Sequence, residues 1–110
     1  MKTINAEELK KKLDAGKDFI LIDVLSKSSF DVWHIPSSIS LPRNEIEEKA
    51  AEVLPDKNAE IVVYCASTDC MASPQAARKL DEMGYTNVTD YEAGVAGWKD
   101  AGYKLEGDTV

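Results

Sequence analysis

Short apolar runs separated by polar, turn-forming stretches set the rhythm of this chain. Asn5 followed three residues later by Glu8 has the form of a helix cap with its capping-box partner. Ala6, Leu9 and Leu13 then recur at helical spacing and predict a helix over residues 6–15. Phe19-Ile20-Leu21-Ile22-Asp23-Val24 is a nearly continuous apolar run rich in β-branched residues, which predicts a strand buried on both faces with Asp23 near its carboxyl end. Residues 26–33 are polar and hold at most a short helix, and Pro36 keeps the chain extended near His34-Ile35. Ile39-Ser40-Leu41 predicts a brief strand stopped by Pro42, and Ile46, Ala50, Val53 and Leu54 predict a helix within 44–54 that Pro55-Asp56 ends. The run 59–64 predicts a second buried strand. Beyond the small and polar segment 65–74, residues 75–83 read as a helix ending at Gly84, with Ser73 as its cap and Pro74 in the first position. A strand over 87–91 and a helix over 95–101 complete the pattern. Strands alternating with helices define the α/β class, a mostly parallel sheet with helices on both faces. No repeat or linker interrupts the pattern, so 1–110 reads as one domain.

Composition narrows the partners. With 20 acidic residues against 13 basic ones, a formal charge of −7 leaves no concentrated basic footprint for nucleic acid. The densest basic run, Lys10-Lys11-Lys12, lies among Glu7, Glu8 and Asp14 and reads as a solvated helix face. No stretch is long and apolar enough to span a membrane, and Met1-Lys2-Thr3-Ile4-Asn5 lacks the apolar core of a secretory signal, so a cytoplasmic location is expected. A chain of 110 residues should expose on the order of 6,000 Å² when folded, enough burial for a core without disulfide staples. The two cysteines, Cys65 and Cys70, therefore point to nucleophilic, redox or metal roles rather than to a scaffold.

Cys65 directly follows the most apolar strand. In open α/β sheets the site forms outside the carboxyl ends of the strands, where loop amides and a helix N-terminus surround a sulfur with donors. Such surroundings are expected to favour the thiolate of Cys65 and to hold an anion.

Leu21-Ile22-Asp23-Val24, His34-Ile35-Pro36 before Ile39, Ile61-Val62-Val63-Tyr64-Cys65, Ala76-Ala77-Arg78-Lys79-Leu80 running to Gly84-Tyr85, and Glu92, Gly94 and Trp98 before Ala101-Gly102-Tyr103 follow one another in an order that resembles the rhodanese-like, or sulfurtransferase, family. The resemblance covers nearly the whole chain. It implies a central, mostly parallel five-stranded sheet and an active-site loop opening at Cys65. It also implies a two-step transfer in which Cys65 takes the outer sulfur of a small anionic donor such as thiosulfate, holds it as a persulfide, and passes it to a thiol, a protein thiol among them, or to cyanide. The backbone amides of Ala66, Ser67, Thr68, Asp69, Cys70, Met71, Ala72 and Ser73 would stabilise the sulfur's charge, with no metal or organic cofactor. The resemblance leaves the oligomeric state open.

Three departures from the family pattern each remove a positive charge. Leu25 stands where the family carries arginine after the Asp-Val pair, and Ala66 and Ala72 replace two loop arginines. No basic side chain lies between Cys65 and Arg78, and Asp69 adds a negative one. Counted back from Ala76-Ala77, the loop is two residues longer than the usual sulfurtransferase loop. That length resembles the related phosphatases, but Arg78 lies too far into the helix to close an oxyanion loop. The added feature is Cys70, a candidate resolving thiol for a persulfide or sulfenate on Cys65. Two cysteines and His34 fall short of a zinc set. His34 is expected to satisfy backbone groups in a turn, with Asp23 holding that same turn, and Trp33 and Trp98 to serve as core or lid.

Overall fold

The computed structural model describes residues 2–16 and 18–109, so Met1, Lys17 and Val110 of the expected 1–110 domain lie outside the described residues. Five strands form one sheet: β1 (Lys2–Ile4), β2 (Ile20–Asp23), β3 (Ile39–Ser40), β4 (Ile61–Tyr64) and β5 (Val88–Tyr91), in the order β1-β5-β4-β2-β3 with every pair parallel. Helices α1 (Ala6–Asp14), α2 (Lys27–Val32), α3 (Ile46–Val53) and α4 (Ala72–Glu82) supply the crossovers, with a 3₁₀ turn over Arg43–Glu45 ahead of α3, and α5 (Gly94–Asp100) follows β5. The chain exposes 6048 Å², as the size scaling requires of a compact fold.

The predicted capping box closes α1: the Asn5 side chain accepts from the Glu8 amide at 2.8 Å and the Glu8 carboxylate from the Asn5 amide at 3.0 Å. The fifth strand, β1, is three residues of edge pairing on β5 and is too short to leave an alternating pattern. The largest departure from the sequence reading is α4. It begins at Ala72 rather than Gln75, and Ser73 does not cap it. Pro74 is tolerated in the third helical position because its missing N–H is one that no helix pairs internally; the first bond runs from the Gln75 amide to the Met71 carbonyl at 3.2 Å.

Strand alternation divides the core in two. Ile61 and Val63 of β4 pack with Ile22, Ile46, Ala50, Ala76, Ala77 and Leu80 under α3 and α4, whereas Val62 and Tyr64 pack with Leu9, Leu21, Tyr91, Val95 and Trp98 under α1 and α5. Each fully buried aliphatic side chain contributes about 1.5–3 kcal/mol, and Ile61, Val62 and Val63 of β4 are of this kind, with Tyr64 buried beside them. The site therefore grows out of a strand buried along its whole length. Asp23, Tyr64 and Tyr91 end their strands in register, so the loops after β2, β4 and β5 open on one edge.

Candidate active site

Cys65 continues the alternation of β4 by one residue, which turns its side chain to the α4 side, where it joins the core cluster and is fully buried. Its Sγ lies 3.5 Å from the Cys70 carbonyl oxygen and 3.5 Å from Ser73 Oγ, and the Ser73 amide also points at it. The early start of α4 makes this possible: one turn of helix carries Ser73 inward, so its hydroxyl meets the sulfur instead of capping the helix.

The loop 65–71 is clamped from behind by α5. The Val95 amide donates to the Cys65 carbonyl at 3.0 Å and the Ala96 amide to the Ala66 carbonyl at 2.8 Å. Because a trans peptide points its C=O and N–H in opposite directions, anchoring the Cys65 carbonyl on α5 turns the Ala66 N–H into the loop. There it meets the Cys70 sulfur, as does the Ala72 N–H. The approach requires Gly94, at φ +62°, since a Cβ there would sit 2.3 Å from the Cys65 carbonyl oxygen.

The two side chains are neighbours, with Cys65 Sγ directed at the Cys70 carbonyl, and both cysteines are free. Burial pushes the Cys65 thiol up and the neighbouring Cys70 sulfur adds to this, outweighing the Ser73 hydroxyl and amide. Burial also works against ionisation of Cys70, but the Cys65 thiol, the Ala66 and Ala72 amides and the charge of Arg43 together hold it below the ordinary thiol range. The expectation that these surroundings favour a Cys65 thiolate is not met: the shift at Cys65 runs toward the thiol and that at Cys70 toward the thiolate.

Of the eight amides predicted to cradle the sulfur, Ser73 serves Cys65, Ala66 and Ala72 serve Cys70, and that of Cys70 itself is spent on the Ser67 carbonyl at 3.0 Å in a tight turn. Ser67 is half-buried, while Thr68, Asp69 and Met71 are exposed on the outer side of the loop.

A cleft of about 460 Å³ opens in front of this pair, lined by Leu25, Ser26, Pro42, Arg43, Asn44, Cys70 and Met71, and a smaller one of about 220 Å³ by Thr68, Cys70, Met71, Ser73, Pro74 and Glu92. Cys70 lines both and Cys65 neither. Arg43 is the cation that the loop sequence lacks. It comes from the 3₁₀ turn after β3, and its guanidinium is held by the Gln75 side chain on the first turns of α4. Sequence reasoning missed it because it looked for positive charge only within the loop. Its place just past the carboxyl end of a parallel strand was the available signal. Arg78, by contrast, lines the largest groove, about 610 Å³, with Lys2, Asp81, Thr86 and Val88 at the amino end of the sheet, far from the cysteines' edge.

Asp90 is a second residue the sequence did not mark. It lies fully within β5, both its carboxylate oxygens are buried without a hydrogen-bond partner, and its side chain faces Ser73. Burial pushes this carboxyl above the usual range; the Ser73 hydroxyl opposes the shift and Glu92 adds to it. An acid within an alternating, doubly covered strand was the signal.

His34 stacks on Phe30 at 3.8 Å, pairs Nδ1 with the Phe30 carbonyl at 2.7 Å, and bridges to Glu106 through backbone bonds, apart from the cysteines. The turn beside it is held by Tyr64, whose hydroxyl accepts from the Ile35 amide at 3.1 Å and bonds Ser38 at 2.9 Å. Asp23 does not hold that turn as expected; its Oδ1 accepts from the Leu25 amide at 2.9 Å and fixes the loop after β2. Trp98 is core, donating Nε1–H to the Lys104 carbonyl at 2.8 Å. Trp33 lines a shallow apolar cleft with Leu25, Val32, Ala66 and Val95 on the α5 side of the loop. Among the described residues no three His, Cys, Asp or Glu side chains gather as a metal site, and no helix is long and apolar enough to cross a membrane.

A single α/β domain with a parallel five-stranded sheet is the arrangement that comparison with known proteins recovers. The sequence model of the rhodanese-like domain matches residues 5–101, and the chain belongs to this family. It is 31% identical over 99 residues to a putative sulfurtransferase, YtwF, of Bacillus subtilis, covering 90% of this chain and 91% of that protein. It is 39% identical over 67 residues to thiosulfate sulfurtransferase PspE of Escherichia coli, covering 61% of this chain and 62% of that one. The crystal structure of the BH2092 protein of Bacillus halodurans superposes with a TM-score of 0.91 at 27% identity, over 98% of this chain and 78% of that one. Other curated relatives are longer, and the chain spans 44% and 49% of two of them.

Proposed function

We propose that this chain is a sulfurtransferase that carries sulfane sulfur as a persulfide on Cys65. The observation that supports this most is the position of Cys65: the first residue after the central strand of a rhodanese-like sheet, buried among donors at the carboxyl edge. The relatives named as sulfurtransferases favour the same reading.

In the first step Cys65 Sγ attacks the outer sulfur of a donor such as thiosulfate, and its proton passes to the neighbouring Cys70 sulfur, which is held below the ordinary thiol range. A bond forms between Cys65 Sγ and the outer sulfur, the donor's S–S bond breaks, and sulfite leaves with the electron pair. The Ser73 hydroxyl and amide are placed to stabilise the growing charge at Cys65. Arg43, lining the entry cleft, offsets the repulsion between an anionic donor and a chain of net charge −7. In the second step a thiol, a protein thiol included, or cyanide takes the sulfur from the persulfide.

The test is turnover of thiosulfate in the presence of excess dithiothreitol, read as sulfite released. Wild type is expected to turn over and Cys65→Ser to be inactive with its thermal unfolding unchanged. Equal turnover by Cys65→Ser would overturn the proposal.

A further inference from the structure

Outside the site, the groove around Arg78 holds charges of both signs and its polar lining residues are exposed. The unexplained feature lies within the loop, where a second sulfur occupies the place between Cys65 and the outside. Cys70 lines both clefts that approach the site, whereas Cys65 lines neither and is fully buried. Two inward-turned amides, from Ala66 and Ala72, are committed to the Cys70 sulfur rather than left free for a substrate oxygen. An external acceptor approaches a sulfur on Cys65 past Cys70, whose carbonyl already lies 3.5 Å from Cys65 Sγ.

From this geometry we infer that Cys70 resolves the Cys65 persulfide, releasing the transferred sulfur as hydrosulfide and leaving a Cys65–Cys70 disulfide. The inference rests on the Cys65 persulfide reading and names its first acceptor. After loading, the site holds Cys65–S–S⁻ beside Cys70–SH. The proton moves to the outer sulfur and Cys70 Sγ attacks Cys65 Sγ. The Sγ–Sγ bond forms, the bond from Cys65 Sγ to the outer sulfur breaks, and the outer sulfur departs as HS⁻ with the electron pair. The sulfane sulfur is reduced by two electrons and the two cysteine thiols are oxidised to a disulfide, so charge and atoms balance without another reagent. An external dithiol then reduces the disulfide by exchange and restores the pair. Held groups react as though at very high local concentration, so the internal thiol outcompetes millimolar external thiols for the persulfide. The absence of loop arginines fits this chemistry, because the leaving group is a small monoanion and the cradle is built around sulfur.

A single turnover with thiosulfate under anaerobic conditions, without added thiol, tests the inference, since the donor is then the sole oxidant. Wild type is expected to release one sulfite and one hydrosulfide per chain and to lose both free thiols. Digestion should give a linked 65/70 peptide about 2 Da below the reduced pair. Cys70→Ala, compared with wild type at the same alkaline pH, should release sulfite, retain an adduct of about 32 Da on Cys65 and release no hydrosulfide. A wild type that retains its adduct as long as Cys70→Ala, or that carries the sulfur on Cys70 with no disulfide, would overturn the resolving role while leaving the persulfide reading intact. If neither protein releases sulfite or gains sulfur, the persulfide reading itself fails and the inference with it.

Discussion

Gly94→Ala tests how the active loop is held. The position combines φ +62° with a Cβ that would stand 2.3 Å from the Cys65 carbonyl oxygen and 2.8 Å from the Ala66 carbonyl carbon, both backbone atoms that no rotamer change can move. A left-handed non-glycine residue costs about 1–2 kcal/mol. Restoring ordinary contact requires α5 and the loop to part by roughly 1 Å, which breaks the bonds from Val95 to Cys65 and from Ala96 to Ala66. At about 0.5–1.5 kcal/mol for each bond, the total is roughly 2–5 kcal/mol. Gly102 supplies the control: its φ is +83°, yet nothing lies within 4 Å of its would-be Cβ, so Gly102→Ala carries the backbone cost alone. Urea unfolding of the two variants is the assay, and thiosulfate turnover below the transition is the second readout. Gly94→Ala should be the less stable of the two by about 1–3 kcal/mol and should lose most of its turnover, whereas Gly102→Ala retains it. Equal destabilisation, or full activity in folded Gly94→Ala, would refute the clamp.

Asp90 sets a pH dependence. With its carboxyl raised in the folded protein, both states hold the proton below the unfolded value of about 4, and stability is lost as pH rises from there through the folded value because the unfolded chain ionises first. Asp90→Asn cannot ionise, so its stability relative to wild type should increase between pH about 4 and 8 in urea titrations; a constant difference would sink the assignment. Arg43→Gln should raise the KM for thiosulfate about three- to tenfold with little change in kcat, an effect that shrinks in high salt; an unchanged KM would remove Arg43 from donor binding. Iodoacetamide at pH about 7.5 should modify Cys70 well before Cys65, since one is half-buried with its charge stabilised and the other fully buried; peptide mapping over time reads the order, and faster labelling of Cys65 would contradict it.

Much of the fold was written locally. The capping box of α1 and the apolar runs of β2 and β4 are signals confined to a few neighbours, and each appears where its pattern placed it. The position of Cys65 followed from the same alternation, carried one residue past β4. What depends on distant partners was not legible. Three residues of β1 acquire strand geometry only by pairing with β5, and α4 starts early because its first turn packs Ser73 against Cys65. The charge state of the cysteines depends on amides turned inward by α5 and on Arg43 from another loop. A reading confined to residues 65–73 therefore could not see that burial pushes the Cys65 thiol up while its neighbours hold Cys70 down.

The persulfide is tested most directly by trapping it where it cannot be resolved. Cys70→Ser, treated with thiosulfate at alkaline pH and analysed by intact mass and peptide mapping, should gain about 32 Da on the peptide bearing Cys65. Cyanide should remove that mass, and Cys65→Ser/Cys70→Ser should not acquire it. A folded Cys70→Ser that takes up no sulfur, or a double variant that takes up as much, would contradict sulfur transfer through Cys65.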